Sequence, residues 1–171
     1  MKIYLACGLT HVHRSVFQEY CDFLHGLAAA LRAQGGHTVK YALVNSDPQL
    51  ASKPAESQAE LCYMWDRDMV EEADLVIAEA SFPSTGLGIE MQLAANKGTP
   101  IIICFKDFGC NRSAAVSYRN PDQSKHDLQI GSGYVTLMAL GVPTVFRVEE
   151  YKSADDGIEK VLHDVALLEK K

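Results

Sequence analysis

Five short apolar segments, separated by longer stretches with helical periodicity, constrain the fold of this chain more than any other feature. The segments are rich in Ile, Val and aromatic residues, as strands buried on both faces of a sheet are. They cover residues 3–7, 38–44, 75–78, 100–105 and 144–148. Because strands and helices alternate along the chain, the pattern predicts a parallel sheet covered on both faces. We expect a single doubly wound α/β domain with five parallel strands in a flavodoxin-like order.

The predicted helices lie between these segments. The first has apolar residues at helical spacing and ends before Gly35-Gly36, which is a C-cap signal; its repeat consists of Val16, Tyr20, Phe23, Leu27 and Leu31. Further helices are predicted over residues 55–72, 89–96 and 154–168. The chain thus forms one domain over residues 1–171, with an insertion at about 106–133.

The 106–133 segment is longer than connections in compact domains usually are. It is polar and contains Arg112, Arg119, Lys125 and His126. Long loops of this kind often carry function. We therefore expect the segment to cover the active site or to contact another subunit.

Composition narrows the classes of partner. A net charge of −6 provides no general basic field, which disfavours nucleic-acid polymers and favours a small-molecule ligand. Five scattered cysteines include no CxxC pair or zinc spacing and fit a reducing, cytoplasmic location. No apolar run approaches the ~20 residues that span a bilayer, so no membrane association is expected. We expect neither a metal nor a cofactor.

The stretch from Asp66 to Glu90 carries the strongest functional signal. It is predicted to contain a helix end with acids, a buried strand, a glycine-bearing turn and a new helix with Glu90 in its first turn. In open α/β sheets ligands bind at such turns. Gly86 and Gly88 would let a ligand approach the backbone, and the helix start would keep Glu90 ionised, as suits a nucleophile. The alternative is an acid favoured by the helix dipole alone.

Other candidates have structural alternatives of the same kind. Asp66 is either functional or part of a solvated charged cluster with its neighbours. Ser84 is either a helix N-cap or a phosphate ligand. A second candidate anion site follows the first strand; it consists of Gly8, Thr10, His11 and Arg14. His11 and His13 form only a weak metal signal, because no third ligand at fixed spacing accompanies them.

Four segments in order resemble the nucleoside 2-deoxyribosyltransferase family, closest to its branch of 2-deoxynucleoside 5′-monophosphate N-glycosidases. The segments are Ile3-Tyr4-Leu5-Ala6; Asp66 with Ala73-Asp74-Leu75-Val76-Ile77-Ala78-Glu79; Gly86-Leu87-Gly88-Ile89-Glu90; and residues 133–141. The resemblance implies that Glu90 attacks C1′ of the sugar, that Asp66 assists the leaving base and that Tyr4 orients Glu90.

Two positions resemble the monophosphate glycosidases more than the transferases. Ser84 stands where transferases tend to carry an acid, and a hydroxyl can donate to a phosphate that a carboxylate would repel. Thr136 stands where the resemblance implies a contact to the site of a neighbouring subunit, so a homodimer or higher homo-oligomer is expected. The first loop departs from the family, which has an earlier glycine and a nearby arginine there; Arg14 is the candidate to compensate.

These observations favour hydrolysis of the N-glycosidic bond of a (deoxy)nucleoside 5′-monophosphate through a covalent glycosyl-glutamate. One alternative is a nucleoside 2-deoxyribosyltransferase that exchanges bases. A second is a nucleotide-binding module without turnover, which would not need a nucleophile beside the anomeric carbon. A cytokinin-type phosphoribohydrolase would carry a Pro-Gly-Gly-x-Gly-Thr turn, whereas this chain has Pro83-Ser84-Thr85-Gly86-Leu87-Gly88.

Overall fold

The predicted apolar segments form the five strands of one parallel sheet in the computed structural model, which describes residues 1–170. The strands are β1 (Lys2–Cys7), β2 (Thr38–Tyr41), β3 (Leu75–Glu79), β4 (Ile101–Lys106) and β7 (Val145–Tyr151). Their order in the sheet is β2-β1-β3-β4-β7, and all neighbouring strands are parallel. The predicted doubly wound α/β domain with flavodoxin-like strand order is confirmed.

Four long helices cover the sheet, and shorter helical turns lie in the connections. The long helices are α1 (Phe17–Gly35), α4 (Ala55–Glu72), α5 (Thr85–Lys97) and α7 (Ala154–Leu168). The short ones are a 3₁₀ turn at Arg14–Val16, α2 (Ala42–Asn45), α3 (Asp47–Leu50) and α6 (Leu137–Leu140). Helix α1 ends at Gly36, which adopts a left-handed φ of 62°, as the predicted glycine C-cap requires.

The sheet separates two hydrophobic cores, because successive side chains of a strand point to opposite faces of the sheet. Leu5 of β1 packs with residues of α1 and α7, including Leu24 and Val161. Its neighbour Tyr4 packs on the other face with Met69 of α4 and Met91 of α5. This alternation brings the Tyr4 ring to the helices that carry Asp66 and Glu90.

Two element boundaries differ from the prediction. The second strand ends at Tyr41 rather than at Val44, because the Tyr41 N–H donates to the Asn45 side chain at 3.0 Å and the following residues form helical turns. Helix α5 begins at Thr85, four residues earlier than predicted, because the Ser84 hydroxyl caps it. The glycines at its start did not prevent helix formation.

The chain between β4 and β7 contains regular structure of its own. Strands β5 (Ser117–Arg119) and β6 (Lys125–Asp127) form an exposed antiparallel hairpin. Near its start, Asn111 donates through Nδ2 to the carbonyl oxygens of Ser81 and Lys106, both at 2.8 Å. These bonds fix the start of the segment to the turn after β3. Among the described residues, no helix is both long and apolar enough to cross a membrane.

Candidate active site

A buried hydrogen bond joins the first strand to the middle of α5. The Tyr4 hydroxyl donates to Glu90 Oε1 at 2.7 Å. Tyr4 is 1% exposed and Glu90 is 8% exposed. The second carboxyl oxygen, Glu90 Oε2, is buried and has no hydrogen-bond partner. One oxygen of this carboxyl group is therefore held in place, and the other is free to bind or react.

Burial, rather than the helix dipole, controls the protonation of Glu90. It raises the pKa of Glu90 to about 7; the Tyr4 hydrogen bond opposes this rise, and the charge of Asp66 adds to it. Because α5 begins at Thr85, Glu90 lies in the second turn of the helix, beyond the strongest influence of the N-terminus. The expectation that the helix start keeps Glu90 ionised is wrong in this respect.

Asp66 provides a second carboxyl group on the adjacent helix α4. The Cys62 thiol donates to Asp66 Oδ2 at 3.5 Å, whereas Oδ1 is buried and without a partner. Burial raises the pKa of Asp66, the nearby hydroxyl of Ser46 and the hydrogen bond from Cys62 oppose the rise, and the charge of Asp47 adds to it. The alternative of a solvated ion pair applies to Asp68, which contacts Arg67 at 2.6 Å.

The turn that begins α5 has a geometry suited to close approach. Ser84 Oγ accepts from the Leu87 N–H at 3.1 Å, which leaves the hydroxyl hydrogen available to a ligand. A Cβ on Gly8 would lie 2.6 Å from the Ser84 Cβ, so only glycine permits the first loop to pack here. A Cβ on Gly88 would meet no atom within 4 Å, and one on Gly86 would make an ordinary contact at 3.6 Å. Gly88 therefore leaves open space at the helix.

A cleft of about 480 Å³ lies above this turn, within the size range of small-molecule sites. Polar groups from four parts of the chain line it: His11, Ser84, Thr85, Asn111, Ser113, Tyr134 and Thr136. Gly88 and Met91, which flank Glu90 in the sequence, line the cleft, whereas Tyr4, Asp66 and Glu90 themselves are not among its lining residues. The Thr136 hydroxyl caps α6 by accepting from the Ala139 N–H at 3.4 Å. Thr136 and Ser84 of the same chain thus share one cleft.

Not every candidate of the first loop reaches the cleft. His11 lines it, whereas Thr10 is exposed and is not among the lining residues. The Arg14 guanidinium lies over the Phe17 ring, 5.4 Å from its centroid. His13 accepts from the Ser15 N–H and caps the 3₁₀ turn. Within residues 1–170, no three His, Cys, Asp or Glu side chains are grouped so as to hold a metal ion.

Two residues near the site were missed or misplaced from the sequence. Glu79, at the end of β3, is fully buried and accepts from Ser81 and from the Tyr151 hydroxyl at 3.0 Å. Glu79 lies on the same face of β3 as the apolar Leu75 and Ile77, because every second residue of a strand points to the same side. This shared face could have predicted its burial. The contact of Cys62 with Asp66 could have been found from their spacing of one helical turn.

The chain shares its fold with a solved nucleotide N-glycosidase. The chain is similar to Clostridium botulinum CMP N-glycosidase, BcmB, with 18% identity, a TM-score of 0.56 and coverage of 95% of this chain and 99% of that one. It is also similar to a conserved protein from Enterococcus faecalis V583, with 16% identity, a TM-score of 0.58 and coverage of 95% and 98%. No protein-family model and no curated protein sequence matches the chain.

At these identities the likeness shows the fold. It extends over nearly the whole length of each chain, so the architecture is shared from β1 to α7. The resemblance found in the sequence is confirmed at this level, because a nucleotide N-glycosidase has the same fold.

Proposed function

We propose that this protein hydrolyses the N-glycosidic bond of a nucleoside 5′-monophosphate. The observation that carries the proposal is that Glu90, which is buried, and Asp66, which is half-buried, each have one buried oxygen that has no partner. Unsatisfied buried oxygens are unfavourable by about 1–3 kcal/mol each, so a fold that retains two of them has a use for them. The CMP N-glycosidase of the same fold indicates what that use is.

Glu90 acts as the nucleophile of a retaining reaction. Its free Oε2 attacks C1′ of the sugar, the C1′–N bond breaks, and the bond electrons go to the base nitrogen. The Tyr4 hydroxyl holds Oε1 and stabilises the carboxylate. With a pKa of about 7, roughly half of the Glu90 groups are ionised at neutral pH.

Asp66 completes the proton balance. Burial raises the pKa of Asp66, and the protonated form of this carboxyl group gives its proton to the departing base. In the second step water attacks C1′, Asp66 takes the proton of that water, and the Glu90 carboxylate leaves. The products are a free base and a sugar 5-phosphate.

The cleft above α5 binds the 5′-phosphate. Ser84 and Thr136 provide hydroxyl donors, Gly88 leaves the backbone accessible, and the start of the 13-residue helix α5 favours an anion. The residues after Thr136 are apolar and exposed, Leu137 by 50% and Met138 by 88%. A homodimer would cover them, while Thr136 itself lines the cleft of its own chain, so the phosphate contact proposed for Thr136 is made within one subunit and not to a neighbouring subunit's site.

Product analysis tests the proposal. The protein is incubated with the four common nucleoside 5′-monophosphates in ribose and deoxyribose forms, with and without a second free base. Free base and sugar phosphate are expected in both conditions, and Glu90→Gln should abolish their formation. A new nucleotide formed from the added base would instead establish the transferase. Bound nucleotide that survives long incubation unchanged would establish the binding module and refute the proposal.

A further inference from the structure

The thiol of Cys62 is the hydrogen-bond donor that holds the Asp66 carboxyl group. Both residues lie on α4, four positions apart, and this spacing brings their side chains together on one helix face. The Sγ to Oδ2 distance is 3.5 Å. The contact fixes Oδ2 against the helix and leaves Oδ1 as the buried oxygen without a partner. Cys62 therefore determines which Asp66 oxygen is available to a ligand.

The thiol is also an unusual choice of donor at this position. An S–H group is a weaker donor than a hydroxyl, so it stabilises a carboxylate less. Burial beside Asp66 raises the pKa of Cys62 to about 11, so the thiol keeps its proton at neutral pH and acts as a donor rather than as a nucleophile. A weak, permanent donor orients the carboxyl group while leaving it easy to protonate.

We propose that Cys62 is a positioning residue that holds Oδ2 of Asp66 and so presents Oδ1, the oxygen without a partner, to the leaving base. The inference rests on the function proposed above. It also makes a prediction that depends only on the chemistry of the donor. Removing the donor and strengthening it should change the protonation of Asp66 in opposite directions, which a loss of packing would not do.

Substitutions at Cys62 can be compared directly, because the other groups around Asp66 belong to different residues. Other polar groups from three further parts of the chain interact electrostatically with Asp66: Tyr4 and Cys7 of β1, Ser46 and Asp47 at the start of α3, and Glu90 of α5. Substitutions at Cys62 leave all of these groups in place. Cys110 is an exposed free thiol, so Cys110→Ser serves as the matched control.

The experiment measures the pKa of Asp66 in the full-length, ligand-free protein by ¹³C NMR titration of labelled aspartate side chains. The spectrum of Asp66→Asn identifies the Asp66 signal. Cys62→Ala should raise the pKa of Asp66, and Cys62→Ser should lower it, each by roughly 0.5 units or more. Cys110→Ser should leave it unchanged. Shifts of the same sign in both Cys62 variants, or no shift in either, would overturn the inference.

Kinetics on the same variants separates this inference from the proposed function. If Asp66 must be protonated to assist the base, activity falls at high pH as Asp66 loses its proton. The high-pH limb of kcat should therefore move up in Cys62→Ala and down in Cys62→Ser. If the NMR titration shows opposite shifts but the high-pH limb of kcat does not move, the acid role of Asp66 is refuted. The effect of Cys62 on Asp66 would still stand.

Discussion

Replacing Tyr4 with Phe removes the single hydrogen bond that the structure gives to the Glu90 carboxyl group. The bond is 2.7 Å long and buried, and the second oxygen of the Glu90 carboxyl group has no hydrogen-bond partner. A hydrogen bond to a charged group contributes about 1.5–3 kcal/mol, and each pKa unit corresponds to about 1.36 kcal/mol. Tyr4→Phe should therefore raise the pKa of Glu90 from about 7 by roughly 1–2 further units.

The consequence for turnover is calculable. At pH 7 the ionised fraction of Glu90 falls from about one half to between roughly 9 and 1 per cent, so kcat should fall by roughly 5- to 50-fold. The loss should shrink as pH rises, because a higher pH ionises Glu90 again. The assay is the pH dependence of kcat for nucleotide hydrolysis, with Tyr63→Phe, an exposed tyrosine of α4, as the control. A loss of activity in Tyr4→Phe that is equal at every pH would refute the reasoning.

Four further predictions address the other parts of the site. Glu90→Gln should stabilise the fold at pH 8 by up to about 3 kcal/mol, because the pKa of Glu90 is about 7 in the folded protein against 4.5 in the unfolded chain, so folding disfavours the ionised form. Thermal unfolding measured over a pH series should show this gain disappearing below about pH 4.5. Asp66→Asn should slow substrates with poor leaving bases far more than activated ones; equal losses in kcat would indicate a structural role. Ser84→Ala should raise KM for the monophosphate by roughly 5- to 30-fold and change nucleoside turnover much less, unless the phosphate binds elsewhere. Bound nucleotide should protect the 106–133 segment from limited proteolysis in Glu90→Ala, and equal cleavage with and without nucleotide would show that the segment does not cover the site.

The architecture was predictable because buried parallel strands are nearly continuous apolar runs, and four of the five runs lie on the observed strands with small changes at their ends. The prediction for the second strand was wrong at its C-terminal end for a local reason. Residues 42–44 are apolar enough for a strand, but the Asn45 side chain accepts the Tyr41 N–H and the chain turns into α2. Such a side-chain bond competes with the sheet and has no signature in hydrophobic periodicity.

The candidate site, like the fold, was predictable from the sequence only in part. The sequence resemblance selected Tyr4, Asp66 and Glu90, and the structure brings Tyr4 into contact with Glu90 and places Asp66 close enough to affect its charge. The protonation of Glu90 was not predictable from its place in the sequence. It depends on burial against β1 and α4, and that burial exists only once three distant segments have packed together. The position of His11 in the cleft, with Arg14 over Phe17 instead, likewise depends on how the first loop folds.

A comparison of two buried glutamates supports the proposal that Glu90, rather than Glu79, is the nucleophile. Glu79 is less exposed than Glu90, and burial raises its pKa as well. Both oxygens of Glu79 accept hydrogen bonds, Oε1 from the Ser81 and Tyr151 hydroxyls and Oε2 from the Ser81 N–H at 3.3 Å. The Ser81 hydroxyl accepts in turn from the Lys106 N–H at 2.8 Å, so this carboxyl group joins the turn after β3 to the end of β4. Glu79 is fully occupied in holding that turn, whereas Glu90 keeps one oxygen without a partner beside a second carboxyl group, and only such an oxygen can form a bond to a substrate.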